Sequence, residues 1–203
     1  MIALIFILVI FFLGYKLIYK KILKGEKNIN KRKMILYGIS IMYIIIVLGA
    51  VFLNRSNLYG YANLHLFSSY KEAYNNMQMT LFRNIILNIL LFVPLGFLLP
   101  FYSDKLKKGY KILLIGFIFT FIIEIIQYIT KIGIFEIDDI LNNTIGTLIG
   151  YCAFKIYYNL KNKSKKYIGY YFLPLIILIL FFTGIHFKYQ NQEFGNLSFN
   201  YNY

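Results

Sequence analysis

Three short groups of polar side chains interrupt apolar segments of this chain: Asn84 with Asn88, Glu124 with Gln127, and Asp139 with Asn143. The members of each group are three or four residues apart, so in a helix each group lies on one face. Carboxylates can exchange protons or bind a hard cation, and amides can donate and accept hydrogen bonds. Together the three groups predict a binding or catalytic site.

Each group also has a structural alternative. Paired asparagines near a helix end can form hydrogen bonds between helices, and Glu124 can be a buried hydrogen-bonding group. A carboxylate in lipid costs about 2.5–3.5 kcal/mol on insertion scales, which favours a site role for Glu124. Asp138 is typical of a cap on the helix that follows it, whereas we assign Asp139 to the site. Gly146 and Gly150 are four apart, and this spacing predicts close packing by another helix.

The composition indicates that membrane helices position these groups. Of the 203 residues, 59% are hydrophobic and 15% are charged, whereas about 25% are charged in an average soluble domain. This balance excludes a disordered chain, which needs low hydrophobicity and high charge. So large an apolar fraction also argues against a soluble globule, because one small core cannot hide it.

Six apolar runs are long enough to cross a bilayer, which needs about 20 residues of helix. The runs are residues 2–19, 34–53, 84–102, 112–130, 139–158 and 168–187. Backbone polar groups cannot stay unpaired in lipid, so these runs are expected to be helices. The sequence therefore predicts an all-α, polytopic membrane protein with six transmembrane helices.

The basic residues predict the orientation of these helices. Most of the 22 Lys and Arg residues lie at or between runs one and two, three and four, and five and six. The positive-inside rule places these connections in the cytoplasm and both termini outside. The net charge of +14 is then a set of anchors that attract anionic lipid headgroups, and no nucleic-acid partner is expected. The three polar groups fall toward the outer side of the membrane.

These residues resemble the VanZ-like family of bacterial membrane proteins. The matching stretches are Asn84-x-x-x-Asn88-Ile-Leu-Leu-Phe-Val-Pro-Leu-Gly96, Glu124-Ile-Ile-Gln127 and Glu136-Ile-Asp-Asp139-x-x-x-Asn143-Thr-Ile-Gly146. We divide the chain into a first helix with a basic loop (1–33), a VanZ-like core of four helices (34–158), and a last helix with flanking polar segments (159–203). The chain departs from the family where Leu66 replaces a usual Pro and where Glu136 replaces a usual Asp. An Arg common before the acidic loop is also absent, and Arg55 or Arg83 could substitute for it.

The resemblance implies a multi-pass protein of the bacterial cell membrane, in a family named after a member linked to teicoplanin resistance. We therefore expect the protein to bind or modulate cell-envelope precursors or surface lipids, and to affect glycopeptide susceptibility. The expected partners are membrane lipids and a lipid-linked wall precursor or glycopeptide, with no cofactor and no metal. The predicted substrate-binding residues are Asn84, Asn88, Gln127, Glu136 and Asn143.

Two other function classes stay open. In an intramembrane enzyme, Glu124 and Asp139 would act as general acid and base on a lipid-linked substrate, or would hold a divalent cation with Asn88 and Asn143. In a small transporter, the site is expected near the midplane between inverted repeats. The placement of the polar groups toward one membrane face argues against the transporter, and the sequence leaves open whether the protein is an enzyme.

Overall fold

The computed structural model describes residues 31–52, 61–76, 79–164 and 168–199. The first predicted apolar run, residues 2–19, and Arg55 lie outside them. Helices make up most of the described chain: α1 Lys31–Phe52, α2 Ser68–Asn75, α3 Met79–Leu98, α4 Gly109–Thr130, α5 Ile137–Lys161 and α6 Ile168–Phe199. Two 3-10 turns, Leu99–Phe101 and Asp104–Lys107, follow α3.

The helical character predicted from the apolar runs is confirmed. The runs that begin at residues 34, 84, 112, 139 and 168 each coincide with a helix. Two segments, Met79–Phe101 and Gly109–Thr130, are long and apolar enough to cross a membrane. Shorter apolar helical segments are Ile35–Val51 and Ile168–Gly184. The count of six membrane spans stays a prediction.

Two small elements lie between the predicted apolar runs and add detail to the all-α fold. Strands β1 Ala62–Asn63 and β2 Phe135–Glu136 pair in parallel, with Ala62 opposite Phe135 and Asn63 opposite Glu136. Helix α2 has only eight residues. Neither element carries an apolar run, and both are held by contacts between residues far apart in the chain.

The chain divides into two compact units. The first, called the α1 unit, contains the described residues up to Leu64 together with Phe119–Glu136. In this unit Tyr43, Val47 and Val51 follow one another at intervals of four residues and are all buried, so they form the inward face of α1.

The second unit, called the α3–α5 unit, contains the described residues of His65–Ile118 and those from Ile137 onward. Its main core lies where α2, α3, α5 and α6 meet. The buried members of this core are Ala73, Phe82, Ile85, Ile89 and Ile149, against which Leu175, Leu178 and Phe182 pack. Four helices thus share one apolar core within this unit.

Helices α3 and α5 pack backbone against backbone. A Cβ atom at Gly146 would lie 2.0 Å from the carbonyl oxygen of Ile89, and one at Gly150 would lie 1.9 Å from that of Val93. The predicted close approach of a helix at both glycines is therefore confirmed. Because Ile89 meets Gly146 and Val93 meets Gly150, the contact advances in the same direction along both helices, and α3 and α5 run parallel.

Lysines and tyrosines gather near the C-terminal end of α5. The Lys107 Nζ lies 4.8 Å from the centroid of the Tyr158 ring, and the Lys161 Nζ lies 5.9 Å from that of Tyr157. Lys107 also forms an ion pair with Asp104 at 2.6 Å, and this hydrogen bond raises the pKa of its ammonium group. The lysine ammonium groups near the C-terminal end of α5 therefore lie over aromatic rings.

Candidate functional site

Glu124 and Gln127 lie on a buried polar face of α4 in the α1 unit. Thr120 belongs to the same face, because positions 120, 124 and 127 follow at intervals of four and three residues. The three side chains are 0%, 2% and 1% exposed, for Thr120, Glu124 and Gln127 in turn. The Gln127 Nε2 donates a hydrogen bond to the carbonyl oxygen of Val51 at 3.3 Å. Glu124 and Gln127, the predicted pair, are thus enclosed by protein together with Thr120. The spacing of four residues from Glu124 is the signal that could have revealed Thr120.

A turn after α4 brings the chain back to Glu124. Lys131 has a left-handed φ of 55°, the Lys131 N–H donates to the Tyr128 carbonyl, and the Ile132 N–H donates to the Gln127 carbonyl. This pair of bonds is a Schellman motif, which satisfies carbonyls left open at a helix C-terminus. The chain then reverses, and Glu136 donates its backbone N–H to the Glu124 Oε2 at 3.1 Å.

The strand pairing holds Glu136 in place. The Phe135 N–H donates to the Tyr61 carbonyl at 3.0 Å, and the Phe135 ring meets that of Phe121 edge to face at 6.2 Å between centroids. These contacts position the backbone N–H that reaches Glu124. Glu136 therefore contributes its main chain to the buried carboxylate.

Asn88 and Asp139 come together in the α3–α5 unit. The Asn88 Nδ2 donates to the Asp139 Oδ1 at 2.6 Å, so the amide of α3 binds the carboxylate at the start of α5. Asn143, one turn further along α5, is 5% exposed. Asn84 is exposed on α3, and its side chain makes no hydrogen bond to the described residues. The four-residue spacing in α3 thus gives two asparagines with different surroundings.

Asp138 caps a helix, but not the one predicted. Its two carboxylate oxygens accept the N–H of Phe67 at 2.6 Å, the N–H of Ser69 at 2.8 Å and the hydroxyl of Ser68 at 3.3 Å. The carboxylate therefore satisfies the N-terminus of α2 rather than that of α5. Phe67 has a left-handed φ of 64° and provides no side-chain cap, so Asp138 replaces the local cap that α2 lacks.

Tyr70 and Asn142 form a second link between α2 and α5. The Tyr70 hydroxyl donates to the Asn142 Oδ1, and Asn142 is fully buried. Burial, followed by the negative charges of Asp138 and Asp139, raises the pKa of Tyr70 to about 12. The hydroxyl therefore keeps its proton at neutral pH. Asn142 is four residues after Asp138, and this spacing is the signal that could have revealed it.

The structure distributes the predicted site residues between the two units. Glu124, Gln127 and Glu136 belong to the α1 unit, whereas Asn84, Asn88, Asp139 and Asn143 belong to the α3–α5 unit. The two candidate catalytic carboxylates are therefore in different units, where Glu124 accepts from the Glu136 N–H and Asp139 accepts from the Asn88 Nδ2. Among the described residues, no three of His, Cys, Asp and Glu are placed to bind one metal ion. Arg83 is exposed on α3.

Comparisons with known proteins agree on one family. A family model described as VanZ/LLP1 matches residues 34–158, a range that contains every predicted site residue. Protein VanZ of Enterococcus faecium is 26% identical over 166 residues, which cover 77% of this chain and 98% of that protein. No solved structure matches.

Proposed function

Because this chain belongs to the VanZ/LLP1 family, we propose that it is a multi-pass membrane protein of the bacterial cell envelope. In this proposal it binds or modulates cell-envelope precursors or surface lipids, and thereby changes susceptibility to glycopeptides of the teicoplanin type. The observation that carries the proposal is Glu124, a carboxylate that is 2% exposed within an apolar helix. Ionisable groups enclosed at such depth are costly, and they usually mark functional sites.

The orientation proposed for the membrane has support from two features of the α3–α5 unit. Helices α3 and α5 run parallel, as the predicted topology requires of two helices that both start outside. The lysines and tyrosines near the end of α5 match the cationic and aromatic anchors found at membrane interfaces. This end faces the cytoplasm in the proposed orientation.

Cysteine labelling tests this orientation. With Cys152, the single native cysteine, replaced by serine, Asn76→Cys should react with a membrane-impermeant maleimide on intact cells. Lys105→Cys, in the basic connection, should react only after permeabilisation, because the positive-inside rule places it in the cytoplasm. Both positions are exposed, so labelling reports the side of the membrane. The reverse pattern would contradict the proposed orientation.

Neutralising the buried Glu124 or the partly buried Asp139 should remove the proposed activity. Glu124→Gln and Asp139→Asn are each expected to weaken binding of a lipid-linked wall precursor by about tenfold or more, because hydrogen bonds to charged groups contribute about 1.5–3 kcal/mol. In a deletion strain, either variant should also fail to restore wild-type teicoplanin susceptibility. Binding is measured on purified protein, and susceptibility is measured as the minimal inhibitory concentration.

A surface carboxylate provides the matched control. Asp104 has a side chain that is 90% exposed, so Asp104→Asn should behave as wild type in both measurements. Monodisperse elution and wild-type expression of each variant separate loss of activity from loss of folding. Folded Glu124→Gln and Asp139→Asn proteins that bind and complement like Asp104→Asn would refute the proposed function.

The burial of Glu124 also favours a second candidate, an intramembrane enzyme in which Glu124 acts as a general acid or base. Enclosed carboxylates are common among such catalysts. Mass spectrometry of the lipid-linked precursor after incubation distinguishes the two candidates. Binding without a product supports the accessory role, whereas a product that disappears in Glu124→Gln supports the enzyme.

A further inference from the structure

A half-open cleft lies between α2, α3 and α6 in the α3–α5 unit. Its volume is about 500 Å³, within the range of small-molecule sites. Helix α2 contributes Tyr70, Lys71 and Tyr74, α3 contributes Phe82, and α6 contributes Phe181 and Gly184. None of these residues belongs to the predicted carboxylate and amide site.

The cleft suits an extended apolar chain. Phe82 is 4% exposed and belongs to the apolar core, whereas Phe181 is 45% exposed at the open side. Ile177, Phe181 and Gly184 follow at intervals of four and three residues, so they share one face of α6. Ile177 is 58% exposed, and the open side of the cleft is therefore continuous with an exposed apolar stripe. A chain lying along this stripe could enter the cleft sideways.

Lys71 adds charge selectivity to this apolar cleft. It is exposed and lies on α2 beside Tyr74, and among the described residues no carboxylate pairs with its ammonium group. The Tyr70 hydroxyl is already bonded to Asn142 and needs no ligand. A ligand that fills the cleft is therefore expected to carry an apolar chain and, near Lys71, a negative charge.

We propose that the cleft binds one acyl chain of an anionic membrane phospholipid, with the lipid phosphate near Lys71. The predicted topology places α2 and the C-terminal part of the sixth apolar run on the outer side, where headgroup and acyl chain would both be within reach. This inference rests on the proposed membrane location, but not on the proposed action on envelope precursors.

Gly184 offers a direct test of occupancy. A Cβ atom at Gly184 meets nothing within 4 Å, so Gly184→Leu can be accommodated and will fill part of the cleft. Native mass spectrometry of the purified full-length protein with phosphatidylglycerol should show at least about tenfold less bound lipid, since two or more methylenes lose their burial. Gly169→Leu is the matched control, because Gly169 is on the same helix and also has open space around it.

Lys71 tests the headgroup. Lys71→Gln should reduce the preference for phosphatidylglycerol over phosphatidylcholine by about fivefold, the effect expected of one lysine near an anionic lipid. Lys131→Gln, which removes another exposed lysine, should leave the preference unchanged. Equal binding of both lipids with no effect of Lys71→Gln would overturn the headgroup assignment.

The two proposals can fail separately. Gly184→Leu that retains as much phosphatidylglycerol as Gly169→Leu would overturn the cleft proposal. If Gly184→Leu lost binding of the wall precursor but kept binding of phosphatidylglycerol, the cleft proposal would also be overturned, because the occupant would then be that precursor. If Glu124→Gln keeps precursor binding while Gly184→Leu loses phosphatidylglycerol, the proposed function fails and the lipid cleft stands.

Discussion

Gly150→Ala is expected to destabilise the protein by about 3 kcal/mol, at the upper end of the range for overpacked cores. The added methyl group would lie 1.9 Å from the Val93 carbonyl oxygen and 2.9 Å from the Phe97 nitrogen. Both atoms belong to the backbone of α3, so no side-chain rotation can relieve the clash. Helices α3 and α5 must separate, and the contacts on both sides of Gly150 weaken with them. Thermal unfolding in detergent, followed by size-exclusion chromatography, measures the loss.

Gly169→Ala is the control for this substitution. It adds the same methyl group to a helix, but nothing lies within 4 Å of it. Because Gly169 lies in the first turn of α6 and the added methyl group meets no atom, this variant should unfold at about the wild-type temperature. If Gly150→Ala unfolded at the same temperature as Gly169→Ala, the close packing of α3 against α5 would be refuted.

The contact between α3 and α5 shows what the sequence can predict. The sequence predicts both segments as membrane runs of about 20 residues, and lipid would require such runs to pair their backbone groups internally, so their helical state could be predicted. The four-residue spacing of Gly146 and Gly150 then predicts that another helix approaches closely. The spacing does not identify that helix, because the same small surface would accept any partner. The structure identifies it as α3.

Asn84 and Asn88 show where spacing stops being informative. Residues four apart lie about 40° from each other around a helix, so a partner can reach one and leave the other at the edge. Asn88 meets Asp139, whereas Asn84, one turn nearer the start of α3, is exposed. Which of two equivalent amides binds depends on where α5 begins, and that is a property of the tertiary structure.

Helix α2 could not be predicted from its own residues. Ser68–Asn75 is short, polar on average and without a local side-chain cap, and isolated helices of this length are unstable in water. The carboxylate of Asp138, 70 residues after Ser68 in the chain, satisfies its N-terminal donors. From local sequence, a carboxylate at the start of a helix is expected to cap that helix. The N-terminus that Asp138 caps instead, that of α2, is far away in the chain. The role of Asp138 is therefore predicted wrongly and α2 is missed for one reason. Both depend on a contact between residues far apart in the chain.

Replacing Asp138 with alanine is expected to cost about 3–5 kcal/mol. Two backbone N–H groups, those of Phe67 and Ser69, would lose a charged acceptor, at about 1.5–3 kcal/mol for each bond. The bond from the Tyr70 hydroxyl to Asn142 should weaken as well, since the start of α2 is no longer held to α5. Hydrogen exchange of residues 65–76 should accelerate more than that of α3, and the unfolding temperature should fall.

Ser68→Ala separates capping by the carboxylate from general loss of polarity. Its hydroxyl donates to the same carboxylate at 3.3 Å, but both backbone donors would keep their acceptor, so its cost should be about 1 kcal/mol or less. Asp104→Ala removes an exposed carboxylate and should leave exchange at residues 65–76 unchanged. If Asp138→Ala exchanged no faster there than Ser68→Ala, the backbone bonds to Asp138 would not be what holds α2. In that case Tyr70 and the apolar contacts of Ala73 would have to hold it instead.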